Sequence, residues 1–247
     1  MTGLREPLNA TYPSGLRRSS GGYLALKRIM DAAVAGIALV VLCPWMLLVA
    51  LAVYWKLGRP VFFRQVRPGL DEKPFTLYKF RTMTNDRGPD GKLLPDHLRV
   101  GRFGRFLRSW SLDELPQLWN VLVGDMSLVG PRPLPVRYLT RYTPRQRSRH
   151  SVKPGITGWA QVNGRNDLGW EARFRRDLWY VEHASFWLDL KILLLTLAKV
   201  ALRSGVRPDV GANEEEYWGP AGPPANGPKA YPVEENEYQT LAIGGRT

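Results

Sequence analysis

The chain has 247 residues, a length that suits one ordinary domain with additions or a single large one. With 44% of its residues apolar it has a core to bury, so a wholly disordered chain is excluded. The single Cys43 rules out a disulfide framework or a thiolate zinc site within one chain, and His97, His150 and His183 lack metal-ligand spacing, so any metal must be held by oxygen. The formal charge of +13 is unevenly spread: positions 208–247 hold seven acidic and two basic residues, and positions 1–207 hold 33 basic and 15 acidic, a net +18. The larger portion therefore seeks anions, whether phosphates, a lipid surface or nucleic acid.

Residues 1–22 are rich in Gly, Ser, Pro and Arg without apolar periodicity and read as a mobile basic arm that attracts a surface. From Ala32 to Tyr54 an uncharged run of 23 residues would measure about 35 Å as a helix, enough to cross the hydrocarbon layer of a bilayer. A cleaved signal peptide fits poorly, because the run is too long and about 30 residues precede it. Pro44, near the middle, removes a helix hydrogen bond and predicts a bend. Arg17, Arg18, Lys27 and Arg28 precede the run, and Lys56, Arg59, Arg64 and Arg67 follow it, so both flanks carry the charge that marks the cytoplasmic side. A hairpin that enters the membrane and returns satisfies both flanks; a single-pass anchor with a tolerated proline is the other reading.

Beyond the run, residues 61–65 and 75–80 have strand character around the turn-forming segment Arg67 to Asp71, which predicts a short hairpin. Residues 85–94 read as a loop, and residues 100–110 as a basic helix with Phe103, Phe106, Leu107 and Trp110 at helical spacing. Ser111 opens an apolar helix that runs to about Val123, followed by a loop at Gly130-Pro131-Arg132-Pro133. Residues 137–152 read as helical and basic, residues 153–166 as a glycine-rich loop, and helices follow from about Trp170 to Glu182 and from Phe186 to Arg203. The last of these suits packing on the hairpin or lying at a lipid interface, with a core helix as the alternative. The acidic, Pro/Gly-rich tail beyond Arg207 reads as disordered.

Two adjacent carboxylates, Asp113 and Glu114, stand at a helix start. Ser111-x-x-Glu114 fits a capping box, which would make them structural. The chemical reading is that neighbouring helical residues diverge by roughly 100°, so one carboxylate can attack phosphorus while the other holds a divalent cation. Such an attack needs the phosphate oxygens neutralised. Lys79 and Arg81 would project to one side of an extended segment, Arg108 precedes Asp113 by five positions, and Arg132 is restrained between two prolines.

The segments KRIMDAAVA, the Cys43-Pro44 pair, GRPVFFRQVRPG, FTLYKFRTM, LRSWSLDELPQLWNVLVGDMSLVGPRP, KPGITGWAQVNGRN and FWLDLKILLLT together resemble the bacterial sugar transferases, or small monotopic phosphoglycosyl transferases, from about Lys27 to Val206. The resemblance implies transfer of a sugar-1-phosphate from a UDP-sugar to polyprenyl phosphate, usually undecaprenyl phosphate, with release of UMP. It implies a mostly α fold with a short β-hairpin, a monotopic membrane protein whose re-entrant helix is broken at Pro44 and whose amphipathic helices lie at the interface. Asp113 would be the nucleophile of a phosphosugar-aspartyl intermediate, Glu114 the residue linked to Mg²⁺, and Lys79, Arg81, Arg108 and Arg132 phosphate contacts. Residues 1–26 would then be a flexible arm, 27–58 the re-entrant helix, 59–206 the cytoplasmic catalytic and interfacial region, and 207–247 a disordered tail. The setting implied is the cytoplasmic face of the bacterial inner membrane, in contact with membrane lipid. The rival is a membrane-anchored basic assembly protein without catalysis. Nucleic acid is not an expected partner, because no recognition motif accompanies the charge.

Overall fold

The computed structural model describes residues 21–164, 169–202, 217–220 and 222. In chain order these form α1 (Gly21–Leu57), β1 (Phe62–Pro68), β2 (Pro74–Phe80), α2 (Asp96–Arg99), α3 (Arg102–Ser109), α4 (Gln117–Val123), β3 (Ser127–Val129), α5 (Pro144–Arg147), β4 (Gly155–Thr157), α6 (Trp159–Val162), α7 (Trp170–His183) and α8 (Phe186–Ala201). The fold is mostly helical, and β1 and β2 form the expected antiparallel hairpin, with Phe63 opposite Lys79 and Gln65 opposite Leu77. A short parallel pair, β3 with β4, was not foreseen: strands of three residues leave too few positions for a period of two to register.

α1 has 37 residues and, at 1.5 Å per residue, a contour of about 55 Å, so it is long and apolar enough to cross a membrane. Pro44 lies inside it, and the helix continues on both sides. The helix begins at Gly21, which corrects the expected arm of residues 1–26: residues 21–26 belong to α1. The reason is tertiary, since the Tyr23 hydroxyl donates to Asp189 Oδ2 at 2.8 Å and Lys27 Nζ to the same oxygen at 2.6 Å, which offsets the poor helix propensity of the two glycines. Residues 1–20 of that arm lie outside the described residues.

Both ends of α1 rest on one body. Near its start, Arg28 donates to the carbonyls of Val121 and Leu122 at the end of α4, while Ala35, Ala38, Leu39 and Leu42 pack on a core built from β2, α4, β3, α7 and α8. Near its end, Val53 is buried with Phe80 and Leu107, flanked by Met46, Val49 and Leu57. α8 packs on the core through Asp189 and Ile192, as expected of a core helix, while Trp187, Leu194 and Leu197 stand exposed on the other side.

A third cluster joins Val66, Leu134, Tyr138, Leu139, Tyr142 and Phe174, and it includes Tyr217. The tail is therefore not structureless throughout. The Tyr217 hydroxyl donates to Gln146 Oε1 at 2.6 Å and Trp218 lies under the Arg141 guanidinium, because a large aromatic side chain with a polar tip can fill and satisfy a pocket of this kind. The rest of the tail, apart from Gly219, Pro220 and Gly222, lies outside the described residues.

At the centre of the α7 packing, Arg149 Nη2 meets Asp177 Oδ2 at 2.7 Å, with both side chains almost wholly buried. Asp177→Ala leaves the Arg149 charge without its partner and should cost about 3–5 kcal/mol, measured by denaturant unfolding in detergent. A loss of about 1 kcal/mol or less, the worth of an exposed pair, contradicts this assignment.

Candidate active site

In β2 the residues Phe75, Leu77 and Lys79 share one face. The first two are buried in the core, and Lys79 reaches past its edge to the 3₁₀ turn at Leu112–Glu114, its Nζ 2.7 Å from Glu114 Oε1. Phe80, on the opposite face, is buried against Val53 and Leu107 and so seats the strand end.

Arg81 does not follow Lys79. The strand stops at Phe80, and the buried Arg81 guanidinium donates to the carbonyls of Leu57, Gly58 and Arg59. The carbonyls at a helix C-terminus lack intrahelical donors and carry partial negative charge, which draws a buried guanidinium to the exit of α1. Arg81 is thus occupied in binding α1 to β2, a different place from the phosphate contact expected of it.

α3 crosses the chain just beyond β2 at Gly104, where a Cβ would collide with the Thr82 carbonyl oxygen. This close approach seats Arg108, in the last turn of α3, with Nε 3.0 Å from Thr82 Oγ1. The chain then turns sharply at Ser111, whose φ of 54° and ψ of 23° lie in the left-handed region, and enters the turn carrying the two carboxylates. Ser111 makes no side-chain cap, so the capping box does not form; the Glu114 carboxylate is taken instead by Lys79 and Arg132.

Arg132 comes from the loop after β3. Gly130 and Gly155 bring that loop against β4 so closely that a side chain on either would strike backbone. Arg132 Nη2 lies 2.7 Å from Glu114 Oε1, and its own carbonyl accepts from Arg149 Nη2 at 2.8 Å. Arg149, tied to Asp177, therefore holds the loop from beneath. Sequence reading missed it because it is one arginine among several in a basic stretch. Asn120 was also missed: its Oδ1 accepts from Tyr78 N at 3.2 Å and its Nδ2 donates to Thr76 O at 2.7 Å, fixing α4 to β2. A lone polar residue in the apolar run LWNVLV was the available signal.

The two carboxylates differ. Asp113 is only 8% exposed, and among the described residues it makes no direct ion pair. Burial pushes its pKa up to about 6; Lys79 opposes the rise, the Glu114 charge adds to it, and Arg108 and Arg132 oppose it further. Glu114 is also pushed up by burial, but Arg132 and Lys79, each bonded to it, hold it well below the usual carboxylate range. The site therefore pairs a carboxylate bonded to two cations and held ionised near neutral pH with a more basic one beside it. A basic carboxylate among fixed cations can attack an electrophile that bears anionic oxygens.

Among the described residues no group of three or more acidic, His or Cys side chains converges. A divalent ion could take oxygens from Asp113 and Glu114 only if a bound anion completed its shell, which is the usual manner of Mg²⁺ at phosphate sites. The chemistry of this donor set fits such an ion.

Residues 22–203 match the family described as bacterial sugar transferase. The chain is 54% identical over 196 residues, 79% of its own length and 97% of the relative's, to a Bacillus subtilis (strain 168) protein named uncharacterized sugar transferase EpsL. It is 44% identical over 190 residues to the UDP-glucose:undecaprenyl-phosphate glucose-1-phosphate transferase of Klebsiella pneumoniae, covering 73% of the chain and 41% of that protein. The Escherichia coli (strain K12) protein of the same name is 43% identical over 204 residues, 78% of the chain and 42% of the relative. The chain thus spans about two fifths of these longer relatives, and the family match contains all of α1 but Gly21, the hairpin and both carboxylates. With the family match covering most of its length, the chain belongs to the bacterial sugar transferases.

Proposed function

We propose that this enzyme transfers a sugar-1-phosphate from a UDP-sugar to polyprenyl phosphate, releasing UMP, with Asp113 as covalent nucleophile. The observation that carries the reading is the division between the two carboxylates: Glu114 locked between Lys79 and Arg132, and Asp113 buried beside it with its pKa raised. The substrate names of the Klebsiella and Escherichia relatives support a UDP-hexose donor and undecaprenyl phosphate as acceptor.

In the first step an Asp113 oxygen bonds to the sugar-linked phosphorus. The bond from that phosphorus to the bridging oxygen breaks, and its electron pair leaves with UMP. In the second step an oxygen of the acceptor phosphate attacks the same phosphorus, the bond to Asp113 breaks, and the carboxylate is restored. Both steps build charge on the phosphoryl oxygens, which Lys79, Arg108 and Arg132 would offset. Glu114 aims Lys79 and Arg132 by holding them within 2.7 Å of one oxygen. Mg²⁺, held by an oxygen of Asp113 or Glu114 together with the diphosphate, would supply further charge neutralisation.

A lipid acceptor places the site at a membrane. Support comes from α1, whose two ends meet the same body through Arg28 and Arg81, and whose flanks are both basic. Exposed Trp45, Leu47, Trp55, Trp187 and Leu197 add an apolar surface suited to lipid. We read α1 as re-entrant, with both ends at the cytoplasmic face of the inner membrane and the bend at Pro44.

In a UMP-release assay with polyprenyl phosphate and UDP-glucose, Asp113→Asn should lower turnover by about 10³-fold or more; a variant within tenfold of the parent contradicts the role given to Asp113. The pH profile follows from the sign of the shift. Only ionised Asp113 attacks, and its pKa is raised to about 6, so the rate should be level above that value and fall about tenfold per unit below it. A rate unchanged down to pH about 4.5 contradicts a buried carboxylate nucleophile.

A further inference from the structure

The 3₁₀ turn and α4 form one right-handed helical stretch, with Leu115 and Pro116 both in the right-handed region between them. Along it Asp113, Gln117 and Asn120 recur at spacings of four and three, which places them on one face. All three are buried, at 8%, 2% and 0% exposure. Asn120 shows what that face meets, because its amide is bonded to the β2 backbone at Thr76 and Tyr78. Gln117 therefore shares the helical face that carries Asp113 at one end and meets β2 through Asn120 at the other. Its Nε2 is buried and, among the described residues, has no hydrogen-bond partner.

We infer that Gln117 is a further catalytic residue, its Nε2 donating to an anionic oxygen of the phosphoryl group as that group passes onto Asp113. This rests on the proposed function. An unmet buried donor destabilises the protein without substrate, and its satisfaction by an arriving acceptor then favours the bound state. A neutral amide also suits the place better than another cation. A further full charge one turn from Asp113 would hold its proton affinity down and weaken it as a nucleophile, whereas an amide stabilises phosphoryl oxygens by direction alone.

The test uses the full chain in detergent with UDP-glucose, comparing parent, Asp113→Asn, Gln117→Met and Gln117→Glu. Melting temperature, kcat, KM and the UMP burst without acceptor are measured for each. Gln117→Met keeps the volume and removes the donor, so its melting temperature should equal or exceed the parent's. Its kcat and burst rate should fall about 10- to 100-fold, the worth of a hydrogen bond to a charged group. Gln117→Glu sets a like charge against the phosphate and should be slower still.

The inference is overturned if Gln117→Met turns over within about threefold of the parent, or if its melting temperature falls, which would mark a packing role. It is overturned equally if Gln117→Glu is as fast as the parent. A parent inactive with every one of UDP-glucose, UDP-galactose and their N-acetylated counterparts, or an active Asp113→Asn, instead removes the proposed function itself.

Discussion

Two carboxylates that follow one another in a buried turn repel, and the arrangement survives only because cations are distributed unequally between them. Glu114 takes Lys79 and Arg132 directly, and Asp113 feels the same charges together with Arg108 from further off. One carboxylate becomes fixed by its two cations with its pKa held low, the other more basic. Each cation is delivered by a different piece of backbone: Lys79 by the end of β2, Arg108 by the last turn of α3, and Arg132 by the loop after β3. The fold is in large part the means of bringing these three pieces together. Gly104, Gly130 and Gly155 permit the close approaches, and Asn120 and Arg149 bond the pieces in place.

The same framework ties the site to α1. Arg81, two residues after Lys79, bonds to the carbonyls where α1 ends, and Arg28 bonds to the end of α4, whose beginning follows the two carboxylates. A displacement of α1 would therefore be felt at β2 and α4 together, the two elements that set the distance between Lys79 and Glu114. Under the proposed transfer of a sugar phosphate to a lipid, such coupling would hold Asp113 at a constant position relative to the apolar helix.

Much of this was legible in the amino-acid order. The uncharged run of α1, the alternating strands of the hairpin and the apolar period of α8 are strong local patterns, and the structure keeps them. The adjacency of Asp113 and Glu114 was visible too, and charge and spacing marked Lys79, Arg81, Arg108 and Arg132 before the resemblance to the sugar transferases pointed to the same four. What local patterns could not convey was partnership. Arg81 resembles Lys79 in its strand setting, yet the strand ends one residue before it and a helix terminus claims it. Ser111 and Glu114 carry the spacing of a capping box, but a left-handed backbone and two cations prevent it. Arg149 has no local signature, because its significance comes from Asp177, 28 positions away. Tyr217 is hidden in a stretch whose composition signals disorder, and only the aromatic pocket that receives it gives it a place.

The most direct measurement is mass analysis of the intact protein and its peptides after mixing with UDP-glucose in the absence of lipid acceptor. One sugar-phosphate per chain, carried by Asp113 and discharged when polyprenyl phosphate is added, is the result expected. Turnover proceeding with no adduct, or with the adduct on another side chain, would contradict an aspartyl nucleophile poised by its paired neighbour.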